Sequence, residues 1–246
     1  MLEKKIDRRN LLKIGTTSAV VGTALLFTGC EEEAAAPIFT DATKTAILMD
    51  TSLCVECHAC RVACQNHNAL PVEQSYIKFE SVEKGSFPKV EYHLSRNSCM
   101  HCTDAPCVDI CPVKALYKGD TGFTHMNYDA CIGCGMCKMQ CPYDVPVIAE
   151  VDSARKMFKC QGCEDLITEG QEPACVNTCI ANSLKYGPVE EMIDAAKARV
   201  EVLKVKYPKA NVYGVTQQDG LGLILILRDD AKEFKLVYKD KVTSLA

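Results

Sequence analysis

The residues with the densest chemistry lie in the run Cys131-Ile-Gly-Cys134-Gly-Met-Cys137-Lys-Met-Gln-Cys141-Pro142. Three cysteines two residues apart, then a fourth after three more and a proline, is a spacing that holds cubic iron–sulfur clusters. A cube needs thiolates from several directions at once. A tight loop wrapped around it supplies three, and a fourth cysteine, on the helix that follows, points away and ligates a second cluster. One such run therefore predicts another. The chain has three more groups of four: Cys54-x2-Cys57-x2-Cys60-x3-Cys64, Cys99-x2-Cys102-x4-Cys107-x3-Cys111 and Cys160-x2-Cys163-x11-Cys175-x3-Cys179. The second ends in Pro112, whereas Gln65 and Ile180 follow the first and the last.

These groups take sixteen of seventeen cysteines in 246 residues and leave Cys30 alone. A chain that is 48% hydrophobic and 24% charged has room for one or two compact domains. Secreted disulfide scaffolds are shorter and rarely repeat a two-residue spacing so regularly. Cys54-Val-Glu-Cys57-His58 also fits covalent c-type haem attachment, but Cys60 and Cys64 carry the cluster cadence straight through it. Zinc in four-cysteine sites explains the pairs and leaves the third cysteine of each triplet redundant. His58, His67, His93, His101 and His125 have no nucleophile or carboxylate partner at a recognisable spacing. They are expected at the surface or supporting ligands, and no catalytic residue is assigned.

Residues 1–29 read as an address. Asp7-Arg8-Arg9-Asn10-Leu11-Leu12-Lys13, followed by a mildly apolar run from Ile14 to Gly29, resembles a twin-arginine export signal. The run is too short and too weakly apolar for a permanent bilayer helix. That route carries folded proteins, so clusters would be inserted before export to the periplasm or the outer face of the membrane. Phe27-Thr28-Gly29-Cys30 resembles a lipobox, with Phe27 where leucine is usual; Cys30 would then be lipidated, and residues 30–44 form an acidic, Ala-rich linker. The whole chain carries a formal charge of −4, and residues 1–29 hold five basic and two acidic side chains, so the remainder is more acidic still. Nucleic acid is excluded as a partner, because phosphate binding needs a basic surface.

Local pattern places the elements around the cysteines. Thr45–Met49 and Lys89–Leu94 read as strands leading into the first two groups, and Leu116–Asn127 reads as a hairpin turning at Gly119-Asp120-Thr121-Gly122. The polar stretch from Glu164 to Ala174 reads as a surface loop. After Gly187-Pro188, apolar residues at Val189, Met192, Ile193, Ala196, Val200 and Leu203 recur at helical spacing up to Pro208. Leu221–Leu227 reads as a buried strand, too short to span a membrane.

Over residues 45–227 the four groups resemble the four-cluster iron–sulfur subunits of the dimethyl sulfoxide reductase type. That family also serves formate dehydrogenases, polysulfide and nitrite reductase systems and some hydrogenases. The resemblance implies an α+β fold of two pseudosymmetric, bacterial-ferredoxin-like halves over residues 45–188, each with two [4Fe–4S] clusters, and a helix–strand extension over 189–246. It pairs group one with four and two with three. Cys54, Cys57, Cys60 and Cys179 would hold one cluster, and Cys64, Cys160, Cys163 and Cys175 a second. Cys99, Cys102, Cys107 and Cys141 would hold a third, and Cys111, Cys131, Cys134 and Cys137 a fourth. Nitrate reductase relatives replace one ligand by tryptophan and hold a three-iron cluster there. This chain has no tryptophan, so four [4Fe–4S] clusters are expected.

The resemblance also implies the role: electrons relayed between a large molybdo- or tungstopterin catalytic subunit and a membrane quinone-reactive subunit or cytochrome, with no bond-making chemistry in this chain. Asp50-Thr51-Ser52-Leu53-Cys54, Ala69-Leu70-Pro71 and the tail through Tyr207-Pro208-Lys209-Ala210 look like formate dehydrogenase beta subunits. Arg8-Arg9-Asn10-Leu11-Leu12-Lys13 with Ser98-Cys99-Met100-His101-Cys102 look more like the electron-transfer subunit of a membrane-bound NiFe hydrogenase. Polysulfide, nitrite and dimethyl sulfoxide reductase systems are further alternatives. A zinc-bound interaction module and a free-standing ferredoxin are the readings of other classes. The tail from Val189 favours a docked subunit, because four clusters do not require it.

Overall fold

The computed structural model describes residues 44–151 and 154–237; the export segment and Cys30 lie outside the described residues. In chain order the elements are β1 (Thr45–Asp50), α1 (Ala59–His67), β2 (Lys78–Ser86), β3 (Lys89–Asn97), α2 (Pro106–Asp109), β4 (Leu116–Lys118), β5 (Thr124–Met126) and α3 (Met136–Gln140). They continue with β6 (Val147–Val151), β7 (Ala154–Phe158), α4 (Glu164–Thr168), α5 (Ala174–Asn177), β8 (Leu184–Pro188), α6 (Val189–Lys204), β9 (Asn211–Tyr213) and β10 (Leu223–Leu227). The result is a mixed α+β fold with, among the described residues, one four-stranded sheet and three separate hairpins.

The sheet runs β8-β1-β10-β9, with β1 and β10 parallel in the register Ile47↔Leu223 to Asp50↔Ile226. Its two central strands are buried on both faces, which is why they read as continuous apolar runs rather than alternations. Ile47, Met49, Leu223, Leu225 and Leu227 face the core that holds most of the cysteines. Ala46, Leu48, Ile224 and Ile226 face α6, which returns Met192, Ala196, Val200 and Leu203 at helical spacing. Pro188 precedes α6, Glu190 and Glu191 suit the positive end of its dipole, and Lys204 suits the other.

This topology corrects the expected extension. The carboxyl-terminal strand is not appended to the cysteine region but lies beside β1, and Thr51 Oγ1 donates to the Ile226 carbonyl at 2.7 Å across 175 positions of sequence. The four cysteine groups are one long excursion between neighbouring strands.

The hairpin expected over Leu116–Asn127 is present as β4 and β5. The strand expected over Lys89–Leu94 runs on to Asn97 because it pairs along its whole length with β2, which local pattern did not mark. β6 and β7 form a third, unanticipated hairpin. The stretch from Glu164 is not wholly a surface loop either: it opens with α4, whose Ile167 is buried in the core. Two adjacent apolar side chains, Leu166 and Ile167, in a polar window are too weak a periodic signal to mark a five-residue helix.

Candidate iron–sulfur centres

The four cysteine groups share one backbone device. The residue just before the second cysteine of each group is left-handed: Glu56 (φ 53°), His101 (φ 51°), Gly133 (φ 64°) and Gly162 (φ 83°). A left-handed residue there reverses the chain within two positions and turns an amide back onto the first sulfur. Gly133 N–H donates to Cys131 Sγ at 3.4 Å, and Gly162 N–H to Cys160 Sγ at 3.4 Å. Glycine is needed at both for a second reason. A Cβ at Gly133 would lie 2.3 Å from the Arg155 carbonyl oxygen, and one at Gly162 would lie 2.3 Å from the Phe123 ring.

The third cysteine of each group sits on a short helix: Cys60 on α1, Cys107 on α2, Cys137 on α3 and Cys175 on α5. Placing the fourth cysteine on that helix holds only for Cys64. Cys111, Cys141 and Cys179 follow helices that have already ended at Asp109, Gln140 and Asn177. Each is then turned by a left-handed residue three positions on, Lys114, Asp144 and Asn182. Their amides bond back to the carbonyls of Cys111, Cys141 and Cys179 at 3.1, 3.2 and 3.0 Å.

These loops enclose cavities lined by thiols. Cys54, Cys57, Cys60 and Cys179 line one. Cys99, Cys102, Cys107 and Cys141 line a second, and Cys111, Cys131, Cys134 and Cys137 a third. The remaining four converge as well. Burial raises the Cys64 thiol pKa, and among its charged neighbours Cys160, Cys175 and Cys163 raise it further. Cys163 is pushed up to about 12 by burial, then by Cys160 and Cys175. The quartets are adjacent in one order: Cys60 of the first feels Cys175 of the second, Cys160 of the second feels Cys99 of the third, and Cys107 of the third feels Cys137 of the fourth. Only Cys57 and Cys134 among the described cysteines are exposed, one in the first quartet and one in the fourth.

Burial dominates the electrostatics. It pushes Cys60, Cys137 and Cys160 up to about 11 and Cys107 to about 12. Four thiols around an apolar hole resist ionisation unless a cationic group enters between them. A soft all-sulfur donor set suits iron–sulfur clusters or zinc, and three thiols at a tight cadence from one group with the fourth from another suit the cluster. The residues present therefore fit a cluster. Three lysines brace the loops through carbonyls: Lys118 Nζ to Cys102 at 2.8 Å, Lys156 Nζ to Cys131 at 2.8 Å and Lys159 Nζ to Cys160 at 2.9 Å. The loop entering the first group is held from the sheet side, where Arg199 Nε of α6 donates to Asp50 Oδ2 at 2.8 Å and Ser52 N–H donates to Asp50 Oδ1 at 2.8 Å. Nothing in the spacing of the sequence singled these out.

The histidines divide. His58 is exposed, His67 partly so and within 3.0 Å of Asp165, whereas His93, His101 and His125 are buried. His101 Nδ1 accepts the Thr124 N–H at 3.0 Å beside Cys102, a support for the second group. His93 faces Glu91 and Asp229, but Asp229 Oδ1 is already bound by Lys209 Nζ at 3.2 Å and by the Asp230 N–H at 2.8 Å.

His125 Nε2 lies 2.6 Å from Glu164 Oε2. Burial, with the charges of Lys159 and Lys118, lowers its pKa from 6.5 to about 4. Between those values the unfolded chain takes up a proton that the folded chain refuses. The stability this adds is complete above pH 6.5 and is lost as pH falls toward 4, with a slope of at most about 1.4 kcal/mol per pH unit. Urea titrations of wild type and His125→Gln should converge in stability over that window. Parallel pH profiles would refute a buried neutral His125.

Thiol quartets on loops of this backbone define a ferredoxin-type iron–sulfur protein, and residues 90–189 match the 4Fe-4S dicluster domain family. Over 204 residues the chain is 31% identical to the iron-sulfur subunit of the nitrate-inducible formate dehydrogenase of Escherichia coli, covering 75% of this chain and 68% of that one. It is 33% identical over 224 residues to a protein NrfC homolog of Haemophilus influenzae, covering 87% and 96%. It is 35% identical over 159 residues to the B subunit of the anaerobic dimethyl sulfoxide reductase of Escherichia coli, covering 61% and 76%. The protein belongs to this family of iron–sulfur electron-transfer subunits.

Proposed function

We propose that each thiol quartet holds one [4Fe–4S] cluster and that the four relay electrons, in the order of the quartets, between a large molybdo- or tungstopterin catalytic subunit and a membrane quinone-reactive subunit or cytochrome. The observation that carries this reading is the file of four thiol quartets, each next to the following one. When bound, the clusters supply one-electron carriers over a wide range of potentials. The chain's own residues do the rest. Apolar linings exclude water, amides pointed at sulfur moderate its charge, and the short helices fix the separation of one quartet from the next.

The two end quartets are suited to contact. Exposed Cys57 shares its cavity with Val55 (67% exposed), and Ile180 (78%) follows Cys179 of the same quartet; exposed Cys134 shares its cavity with Ile132 (60%), and Met139 (77%) lies two residues after Cys137 of that quartet. Apolar patches of this kind mark docking surfaces for partner proteins. Formate dehydrogenase is the leading partner system, on the likeness to the formate dehydrogenase subunits. The repeated left-handed positions support two pseudosymmetric ferredoxin-like halves. Export in the folded state by the twin-arginine route, with a lipid on Cys30, completes the reading and rests on Arg8-Arg9 and Phe27–Cys30.

Iron and acid-labile sulfide are to be measured, with an EPR spectrum, on protein purified anaerobically with whatever accompanies it. About sixteen of each per chain are expected, as four cubes require, together with a pterin-containing subunit. Cys134→Ser should remove or convert one cluster and abolish partner-coupled electron flow. Zinc without sulfide, or unchanged iron and unchanged coupled activity in Cys134→Ser, would overturn the proposal.

A further inference from the structure

Arg96 is the largest fully buried side chain among the described residues, 1% exposed near the end of β3. It lines the first cavity together with Cys54, Cys57, Cys60 and Cys179. Its far side meets the second quartet, where it hydrogen-bonds the Cys175 sulfur. Its one neutral side-chain tether is Ser98, whose Oγ accepts from Nε at 3.0 Å, and Nη1 has no acceptor among the described protein atoms. No carboxylate forms an ion pair with it among the described residues.

A guanidinium does not shed its proton in a protein, and burying one without a counter-charge costs several kcal/mol. A fold that places it between two thiol quartets must supply the negative charge there. The side chain lines the cavity of the first quartet and hydrogen-bonds the Cys175 sulfur of the second, so it stands against both quartets at once.

Resting on the cluster reading above, we propose that Arg96 is a fixed counterion shared by the first and second clusters, a positioning residue that raises both their reduction potentials. Clusters held by four thiolates are anionic, and an added electron makes them more so. A fixed cation in a low-dielectric joint favours the reduced state of each neighbour. Because it touches both, it moves the two potentials together and keeps the step between them level. Lys159 offers the internal comparison. It is 2% exposed, lines the cavity of the third quartet and is anchored on the carbonyls of Thr124 and Cys160. Its charge is felt by Cys107 of the third quartet.

The test is an EPR-monitored redox titration of the anaerobically purified complex carrying wild-type, Arg96→Lys or Arg96→Gln protein, with iron and sulfide counted on each. Arg96→Gln is expected to shift two of the four potentials in the negative direction and leave two in place, and Arg96→Lys to restore both toward wild type. Lys159→Gln should move a different set, which includes the third cluster. If Arg96→Gln keeps its iron and all four potentials stay put, or if Lys and Gln shift them equally, Arg96 acts by shape and the inference fails. Loss of iron in Arg96→Gln with retention in Arg96→Lys supports the charge, and loss in both overturns it. Wild-type complex without labile sulfide overturns the cluster reading and this inference with it; wild-type complex with full sulfide leaves the potentials to decide the inference alone.

Discussion

Anaerobic chelation of iron is expected to unfold the loops that carry the cysteines while the layer formed by β1, β10 and α6 stays ordered longest. The two faces of the sheet explain the split. The face of Ala46, Leu48, Ile224 and Ile226 is closed by α6 with aliphatic side chains and no cysteine. The opposite core counts Cys60, Cys64, Cys160 and Cys175 among its buried members, and a smaller one is built on Cys137 with Cys107, Cys111 and Cys131 around it. Removing the clusters would leave unfilled cavities among thiols that repel each other's ionisation. A single structural metal site can supply about 10 kcal/mol of folding free energy, and α2, α3 and α5 are too short to persist without one. Amide exchange followed through the titration should show protection lost first in these helices and in the turns at Gly133 and Gly162, and last in β10 and α6. Protection that survives in the cysteine loops after all iron has left would show that the protein frame, not the clusters, holds the fold.

Gly133→Ala is expected to cost the fourth cluster. At φ 64° an alanine is strained by about 1–3 kcal/mol. Its Cβ also meets the Arg155 carbonyl oxygen at 2.3 Å and the Arg155 Cβ at 2.6 Å. Arg155 cannot retreat cheaply, because it is paired with Glu150 across the β6–β7 hairpin. Overpacking of this kind adds a further 1–3 kcal/mol or so, and the loop that carries Cys131 and Cys134 opens. Iron should fall by about four atoms per chain, one cube's worth, and the thermal midpoint should drop. Gly135→Ala supplies the comparison. Its φ of 83° is as demanding, but its Cβ would meet only Ile148 Cγ1, at 3.9 Å. Strain without overlap should lower stability and leave most of the iron. Equal iron loss in the two variants would mean that backbone conformation alone, not the close approach of β7, decides the loop.

Much of the site was legible because cluster ligation is written locally. Two-residue gaps bring three thiols to one point whatever surrounds them. β1, α6 and β10 were legible too, each having a continuous or periodic apolar pattern, and the β4–β5 hairpin was legible from its turn at Gly119-Asp120-Thr121-Gly122. β2, the β6–β7 hairpin and α4 were not. β2 runs from Lys78 to Ser86 with no buried residue in it, and α4 contributes one buried side chain, so neither leaves a period to read. The buried cations were illegible for another reason: nothing in the order of residues distinguishes Arg96 or Lys159 from the solvated basic residues common on acidic proteins.

The order of residues carries the chemistry: soft thiolate ligands, their number, the tight loops that present them, and apolar strands long enough to be buried on both faces. Where those pieces meet is a property of the folded molecule. Folding set β10 beside β1 across 175 positions, made the supposed extension part of the central sheet, and slid Arg96 between two thiol quartets drawn from opposite ends of the cysteine region. The physical reason is range. Ligand spacing and periodicity act over a few residues, whereas parallel strand pairing and the burial of a charge depend on which distant segments fold against each other.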